Sequence, residues 1–176
     1  LERPVEVVLQ PRVADAPPRL APVAGVLATM AWSLRMRWYD WRHQGDSLAD
    51  IRMFVLYHDP ERSPAVPHSL GLQKGLLGVV YAFADESMDG ENAIVIAHEA
   101  LHTLGATDKY DPASGQPRYP EGYAEPAARP RLPQRAAEIM AGRIPLSETR
   151  AEMPESLDDV HVGALTASEI HWSPAP

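Results

Sequence analysis

The residues of this chain that are best suited to chemistry are His98 and His102, with Glu99 directly after the first histidine. Positions four apart on a helix project from the same face, so two imidazoles there can bind one tetrahedral cation. A carboxylate one residue further along stays outside the ligand shell, yet it can accept a proton from a metal-bound water. The surrounding residues 94–104 are mostly apolar, which predicts a buried helix whose polar side chains need partners. The spacing therefore predicts a metal site in which Glu99 is the general base.

The residues after His102 extend this pattern. Gly105 can end the helix in a left-handed conformation that glycine adopts with little strain, which lets the chain turn back. Asp108, three residues later, would then return toward the metal as a third ligand through a carboxylate oxygen. Four further oxygen donors could also fill this position: Asp111, Tyr110, Glu138 and Glu148.

The elements that must position these residues indicate an α+β fold class, with a small mixed sheet packed on the metal-binding helix. Strands are expected at residues 5–10, 51–58, 69–72 and 75–84. The metal-binding helix is expected at residues 93–104, with Asn92 or Asp89 as its N-cap.

A further amphipathic helix is expected from Pro22 to Trp41, because apolar residues recur there every three or four positions. The positions predicted to form its apolar face are Val23, Leu27, Met30, Leu34, Trp38 and Trp41. We expect this face to pack on the core. The uncharged run at residues 20–34 is shorter than a membrane span needs, so no span is expected within the chain.

The last third of the chain is predicted to be irregular. Residues 111–134 contain six prolines and no apolar period, which favours a long surface segment beside the metal site. Met140 follows in a short apolar stretch that ends at Gly142. Thr166 and Glu169 have the spacing of a capping box, which predicts a short final helix.

The stretch His98–Asp108 reads H-E-x-x-H-x-x-G-x-x-D and resembles the long zinc motif of the metzincin metallopeptidases. Most metzincins have His at the last position, and the form with Asp is similar to that of the snapalysin family. The resemblance implies one catalytic Zn²⁺ ligated by His98, His102 and Asp108. It also implies a metzincin-like order of elements, in which Met140 occupies a Met-turn before a final helix.

A zinc metallopeptidase of this kind is a hydrolase that acts on protein or peptide substrates, as an endopeptidase. Glu99 would activate a zinc-bound water for attack on the peptide carbonyl. Tyr110 is the tyrosine nearest to the motif, and its phenol is a candidate stabiliser of the oxyanion. Two rival functions remain open: a non-catalytic, zinc-stabilised module that binds peptides, and a zinc amidase that acts on a non-protein amide. The resemblance spans most of the chain but is specific only around the zinc helix. We expect a single catalytic domain, residues 1–176, with an upper half at about 1–105 and a lower half at about 106–176.

The charge and the cysteine content of the chain exclude several other kinds of partner and site. The formal charge of -8 argues against nucleic acid as a partner, because phosphate binding requires clustered Lys and Arg. The absence of cysteine excludes disulfides, thiolate ligands and cysteine nucleophiles. No pattern predicts the oligomeric state. The sequence leaves the location unknown; a secreted or periplasmic protein is one interpretation, in which any targeting segment would lie upstream of Leu1.

Overall fold

The computed structural model describes residues 5–20, 25–44, 49–73 and 75–172. These residues form an α+β arrangement of three α-helices and seven strands, which confirms the predicted fold class at that level. The helices are α1 (Val26–His43), α2 (Asp89–Thr103) and α3 (Ala164–Glu169). The strands are β1 (Arg52–His58), β2 (Leu70–Leu72), β3 (Leu77–Phe83), β4 (Ala137–Glu138), β5 (Ile144–Pro145), β6 (Ala151–Glu152) and β7 (Val160–His161).

A three-stranded mixed sheet is built from the first three strands, in the order β1-β3-β2. β1 is parallel to β3, and β2 is antiparallel to β3 on the other side, so β2 is an edge strand. Valine, leucine and aromatic residues dominate β1 and β3, which suits a pleated and largely buried surface. The strands expected at residues 51–58, 69–72 and 75–84 are therefore confirmed.

Helix α1 covers one face of this sheet, but with the face opposite to the predicted one. Its buried residues include Trp32 and Met36, which pack against Val79 and Tyr81 of β3. The predicted apolar face is instead exposed, at Leu27, Met30, Leu34, Trp38 and Trp41. α1 carries apolar residues on two faces, so its periodicity does not tell which one meets the sheet. Pro22 and Val23, at the predicted start of the helix, lie outside the described residues.

Helix α2 lies on the opposite face of the sheet and contacts all three of its strands. Its predicted N-cap is wrong: Met88 occupies that position and forms no side-chain cap hydrogen bond. The buried Asn92 side chain instead bonds to both backbone groups of Phe83, accepting from N at 3.1 Å and donating to O at 2.9 Å. This pair ties the start of α2 to the end of β3.

The strand predicted at residues 5–10 is absent. Its apolar side chains are exposed, and none of the described strands pairs with this segment. Alternating valines favour an extended chain, but a strand also needs a neighbour for its backbone groups. No helix within the described residues is long and apolar enough to cross a membrane.

The C-terminal part is mostly irregular, with short paired strands β4–β7 and β5–β6. A second core lies here, where Ile94 of α2 packs with Ile139, Met140 and Ile170. α3 forms as expected, but its N-cap is Gly163 and not Thr166, so the predicted capping box is wrong. Thr166 lies inside the helix and is fully buried.

Candidate metal centre

The rings of His98 and His102 are oriented by backbone carbonyl groups. Nδ1 of His98 lies 2.9 Å from the carbonyl oxygen of Ile139, and Nδ1 of His102 lies 2.8 Å from that of Ala106. A carbonyl oxygen can only accept, so each Nδ1 carries the proton. In the neutral form each Nε2 therefore has a free lone pair. This is the tautomer that a metal ligand requires.

Asp108 is brought to the same point as the two imidazoles. Its Oδ1 lies 3.2 Å from Nε2 of His98 and 3.2 Å from Nε2 of His102. The three side chains offer ligand atoms that all lie within 4.8 Å of one another, and this group could hold a metal ion. Three acceptor atoms facing each other repel unless a cation or a proton lies between them. The donor set of two imidazoles and one carboxylate therefore fits a divalent cation.

The electrostatics of the group also favour a positive charge. Burial lowers the pKa of His98, but Asp108, the Ile139 carbonyl and Glu99 outweigh it, so this pKa is raised overall. When Nε2 of His98 also carries a proton, its contact with Asp108 lowers the pKa of that carboxyl group more than burial raises it. The Asp108 side chain is 42% exposed, so the group can be reached from solvent.

The chain turns after α2 and brings Asp108 back to the histidines, as predicted from Gly105. Gly105 has φ +104°, a left-handed conformation that other residues adopt only with strain. The segment is then fixed on the C-terminal side of Asp108 by Lys109, whose backbone N donates to the Met140 carbonyl at 2.9 Å. The buried Lys109 Nζ donates at 2.7 Å to Thr107 O, Thr107 Oγ1 and Glu169 Oε2.

Thr107 closes this network on the other side of Asp108. Its backbone N donates to Oε2 of Glu169 at 3.0 Å, and its hydroxyl donates to Oε1 at 2.7 Å. Glu169 thus anchors the residues before and after Asp108 to the end of α3. Sequence analysis did not single out Lys109 and assigned Glu169 to a capping box, because their contact joins positions 60 residues apart.

Glu99 is buried at 8% exposure on the helix, beside the first histidine. Burial raises its pKa above the usual value, against the lowering effect of His98 and His102. The backbone N–H of Gly71, on edge strand β2, faces the Glu99 carboxylate and slightly lowers its pKa. A Cβ at Gly71 would lie 2.6 Å from the Glu99 carbonyl oxygen and 2.7 Å from His102 Cβ. Glycine therefore permits the close approach of β2 to the part of α2 that carries Glu99 and His102.

A tight turn after β4 lies next to the histidines. Residues 139–141 follow β4, with the N–H groups of Ala141 and Gly142 donating to the Glu138 carbonyl. The turn contains the fully buried Met140, and its Ile139 carbonyl is the group that orients His98. Met140 thus lies in the turn whose Ile139 carbonyl contacts His98, and its role as a Met-turn stays a prediction.

Glu138 organises this turn from a fully buried position. Its Oε2 accepts from the backbone N of Met140 at 2.7 Å and of Ala141 at 3.0 Å. Its Oε1 accepts from Gly163 N at 3.1 Å and from Thr166 Oγ1 at 2.6 Å. Among the described residues, Glu138 is not part of the metal-binding group, so it is not the third ligand that the sequence left open. A lone acid within the apolar stretch AEIMAG was the signal for this structural role.

Asp111 and Glu148, two more candidates for the third ligand, lie away from the metal-binding group. Asp111 Oδ1 accepts from the backbone N of Ala113 and Ser114, and Glu148 forms an ion pair with Arg131. The last candidate, Tyr110, lies close enough to Asp108 for the two side chains to shift each other's pKa. Burial and the Asp108 charge raise the Tyr110 pKa, so the phenol keeps its proton near neutral pH.

A cavity lies beside Asp108, and a second cavity, which Asp108 does not line, adjoins it. Neither is lined by His98, His102 or Glu99. The first, of about 180 Å³, is lined by Asp108, Arg118 and Glu121 among others. The second, of about 750 Å³, shares Glu121 and Leu165 with it. Arg118 and Glu121 belong to the proline-rich segment 111–134, so that segment does form part of the surface beside the metal group.

Comparison with protein-family models, with curated proteins and with solved structures finds no match to this chain.

Proposed function

We propose that this chain is a zinc-dependent metallopeptidase of the metzincin type, which cleaves internal peptide bonds. His98, His102 and Asp108 would hold the zinc ion, and Glu99 would be the general base. The observation that carries the proposal is the convergence of two Nε2 atoms, each set by a Nδ1–carbonyl contact, on one Asp108 oxygen. Glu99 lies on the same helix, buried beside His98.

Hydrolysis fits this arrangement better than a structural zinc site does. A structural site is closed by four protein ligands, whereas a catalytic site has three and one open position. The described residues supply three ligands, and the Asp108 side is open to solvent. A purely structural site would also have no use for a buried carboxylate beside its first ligand.

The residues divide the reaction between them. Zinc, when bound, would supply a Lewis acid that polarises the substrate carbonyl and lowers the pKa of water. Glu99 accepts a proton from the attacking water and later delivers it to the leaving amine. The Tyr110 hydroxyl, near Asp108, can donate to the oxyanion that develops on the carbonyl oxygen.

The test replaces Glu99 by Gln, which keeps the side-chain shape and removes the base. We expect Glu99→Gln to retain one zinc per chain by elemental analysis. Cleavage of a denatured protein should fall about 10²- to 10⁴-fold, the usual contribution of a general base. Glu91→Gln, an exposed position on the same helix, is the matched control and should cleave at the wild-type rate.

Each outcome bears on a different function. Wild-type protein that binds zinc but cleaves no peptide bond would support the peptide-binding module or the amidase, and hydrolysis of small amides would distinguish these two. Iron in place of zinc, or full activity of Glu99→Gln, would overturn the proposal. Removal of the metal with a chelator should abolish cleavage, and added zinc should restore it.

A further inference from the structure

Helix α1 presents a second apolar face that stays open to solvent in the part of the chain that the structure describes. We call its side chains the outer stripe: Leu27, Met30, Leu34, Trp38 and Trp41. Their exposed fractions lie between 57% and 81%. At a rise of 1.5 Å per residue, the stripe is about 21 Å long. A continuous apolar surface of this size on a folded domain marks an interaction site.

The chemistry of the helix indicates what the outer stripe contacts. On a helical projection Arg35 and Arg42 border the stripe on one side and Arg37 on the other. The Arg42 guanidinium lies 4.8 Å from the centre of the Trp38 ring. Indoles and arginines around an aliphatic stripe are the composition of helices that lie in a lipid interface.

The only acid of α1 lies away from the stripe. Asp40 is on the buried side of the helix and is paired with Arg52 at 2.9 Å. Within α1, the outer stripe is therefore bordered by Arg35 and Arg42 and by no acid of the same helix. This pattern favours an anionic surface as the partner.

Charge is also divided unevenly along the chain. Residues 1–52 contain seven arginines against six Asp and Glu, whereas residues 53–176 contain nine basic and eighteen acidic residues. A protein of net charge -8 is repelled by an anionic surface unless it approaches with its least acidic part. Helix α1 belongs to that part.

We propose that the outer stripe docks α1 on an anionic lipid surface, with the helix lying in the interface plane. Pairing with a second copy is disfavoured, because two facing stripes would bring Arg35 and Arg42 of both copies together, and α1 has no acid on that face to neutralise them. α1 and α2 cover opposite faces of the sheet, so a docked molecule keeps its metal group in water. The inference does not depend on the proposed peptidase activity.

Vesicle flotation tests this proposal with the whole chain. We expect binding to mixed phosphatidylglycerol and phosphatidylcholine vesicles that weakens with salt, and little binding to phosphatidylcholine alone. The double variant Arg35→Gln/Arg42→Gln should bind about 30-fold more weakly, from roughly a fivefold loss per arginine. Leu34→Glu should lose tenfold or more, whereas Leu157→Glu, at a leucine that is also exposed but lies outside α1, should bind as wild type.

Three results would overturn the inference. The first is an absence of binding to anionic vesicles, and the second is equal binding to both vesicle types. The third is a dimer in solution, by light scattering, that Leu34→Glu converts to monomer, because the occupant of the stripe would then be a second copy. Folding of each variant is checked by its urea unfolding curve, and these positions are exposed, so we expect it to be unchanged.

Discussion

Replacing Glu138 by Gln should weaken both the fold and the metal site, although Glu138 touches neither substrate nor metal in the proposed mechanism. The carboxylate is fully buried and accepts four hydrogen bonds, two from the turn after β4 and two from the start of α3. Glutamine has the same shape but only one oxygen. Its amide must therefore face one of the two donor pairs.

The magnitude follows from the better of the two orientations. If the oxygen keeps the N–H groups of Met140 and Ala141, the amide can donate to the Thr166 hydroxyl, but the Gly163 N–H faces another donor. A buried donor left without a partner costs about 1–3 kcal/mol, and bonds that lose their charged acceptor each weaken by about 1 kcal/mol. Relief from burying a charge offsets part of this sum. We expect a net loss of about 3 kcal/mol in the free energy of unfolding.

Urea unfolding measures the loss in the free energy of unfolding. A lower metal affinity would show that the change at Glu138 also affects the metal group. The turn that Glu138 holds carries the Ile139 carbonyl that orients His98 and the Met140 carbonyl that fixes Lys109. Loss of such outer support weakens metal binding by about 10- to 100-fold. The exposed Glu152→Gln is the control. An unfolding free energy for Glu138→Gln within about 0.5 kcal/mol of wild type, as for an ordinary surface change, would refute the reasoning.

Two further changes test the positioning of Glu99 and Asp108. Gly71→Ala should lower the free energy of unfolding by about 1–3 kcal/mol and reduce peptidase activity, because its methyl group would overlap the backbone of α2. Gly75→Ala is the control, because its methyl group would have its nearest contact at 3.6 Å, and it should change neither stability nor activity. Lys109→Met should destabilise by about 2 kcal/mol near neutral pH, less than for a fully buried pair because Glu169 is partly exposed. Burial raises the pKa of Glu169, but hydrogen bonds from Lys109 and Thr107 lower this pKa overall. The ion pair therefore contributes its full stability above the unfolded-state pKa near 4.5. That stability is lost as the pH falls through the lower pKa of the folded state. The difference between wild type and Lys109→Met should therefore shrink below about pH 4.5, and a constant difference would contradict the assigned ion pair.

The sequence predicted the local features of the candidate site because its geometry is local. His98 and His102 are one helical turn apart, and Gly105 and Asp108 follow within six residues, so helix periodicity and one glycine determine where they lie. The structure brings all of the predicted ligands together. Their roles in binding zinc and in catalysis stay predictions.

The supporting contacts could not be predicted, because they join distant parts of the chain. Glu138 meets Thr166 across 28 residues, and Lys109 meets Glu169 across 60. No periodicity records such pairs. The capping box illustrates the difficulty: Thr166 and Glu169 have the right spacing, yet each is used by a remote partner instead.

Helix α1 shows a different limit of sequence analysis. Its existence follows from the recurrence of apolar residues, but Trp32 and Met36 on one face and Leu34 and Trp38 on the other satisfy the same period. Only the sheet decides which face is buried. The segment at residues 5–10 fails for a related reason, since the pattern of a strand does not supply its neighbour.

The Asn92 amide has a consequence for the rotation of α2 about its own axis. By pairing with both backbone groups of Phe83, this side chain takes the place that an adjoining strand would occupy at the end of β3. Glu99 lies seven residues further on, so a helix shifted by one residue would break both bonds and turn the carboxylate by about 100° away from Gly71. The direction in which Glu99 points is therefore set about 10 Å away, at the far end of the helix, before any ion or substrate arrives.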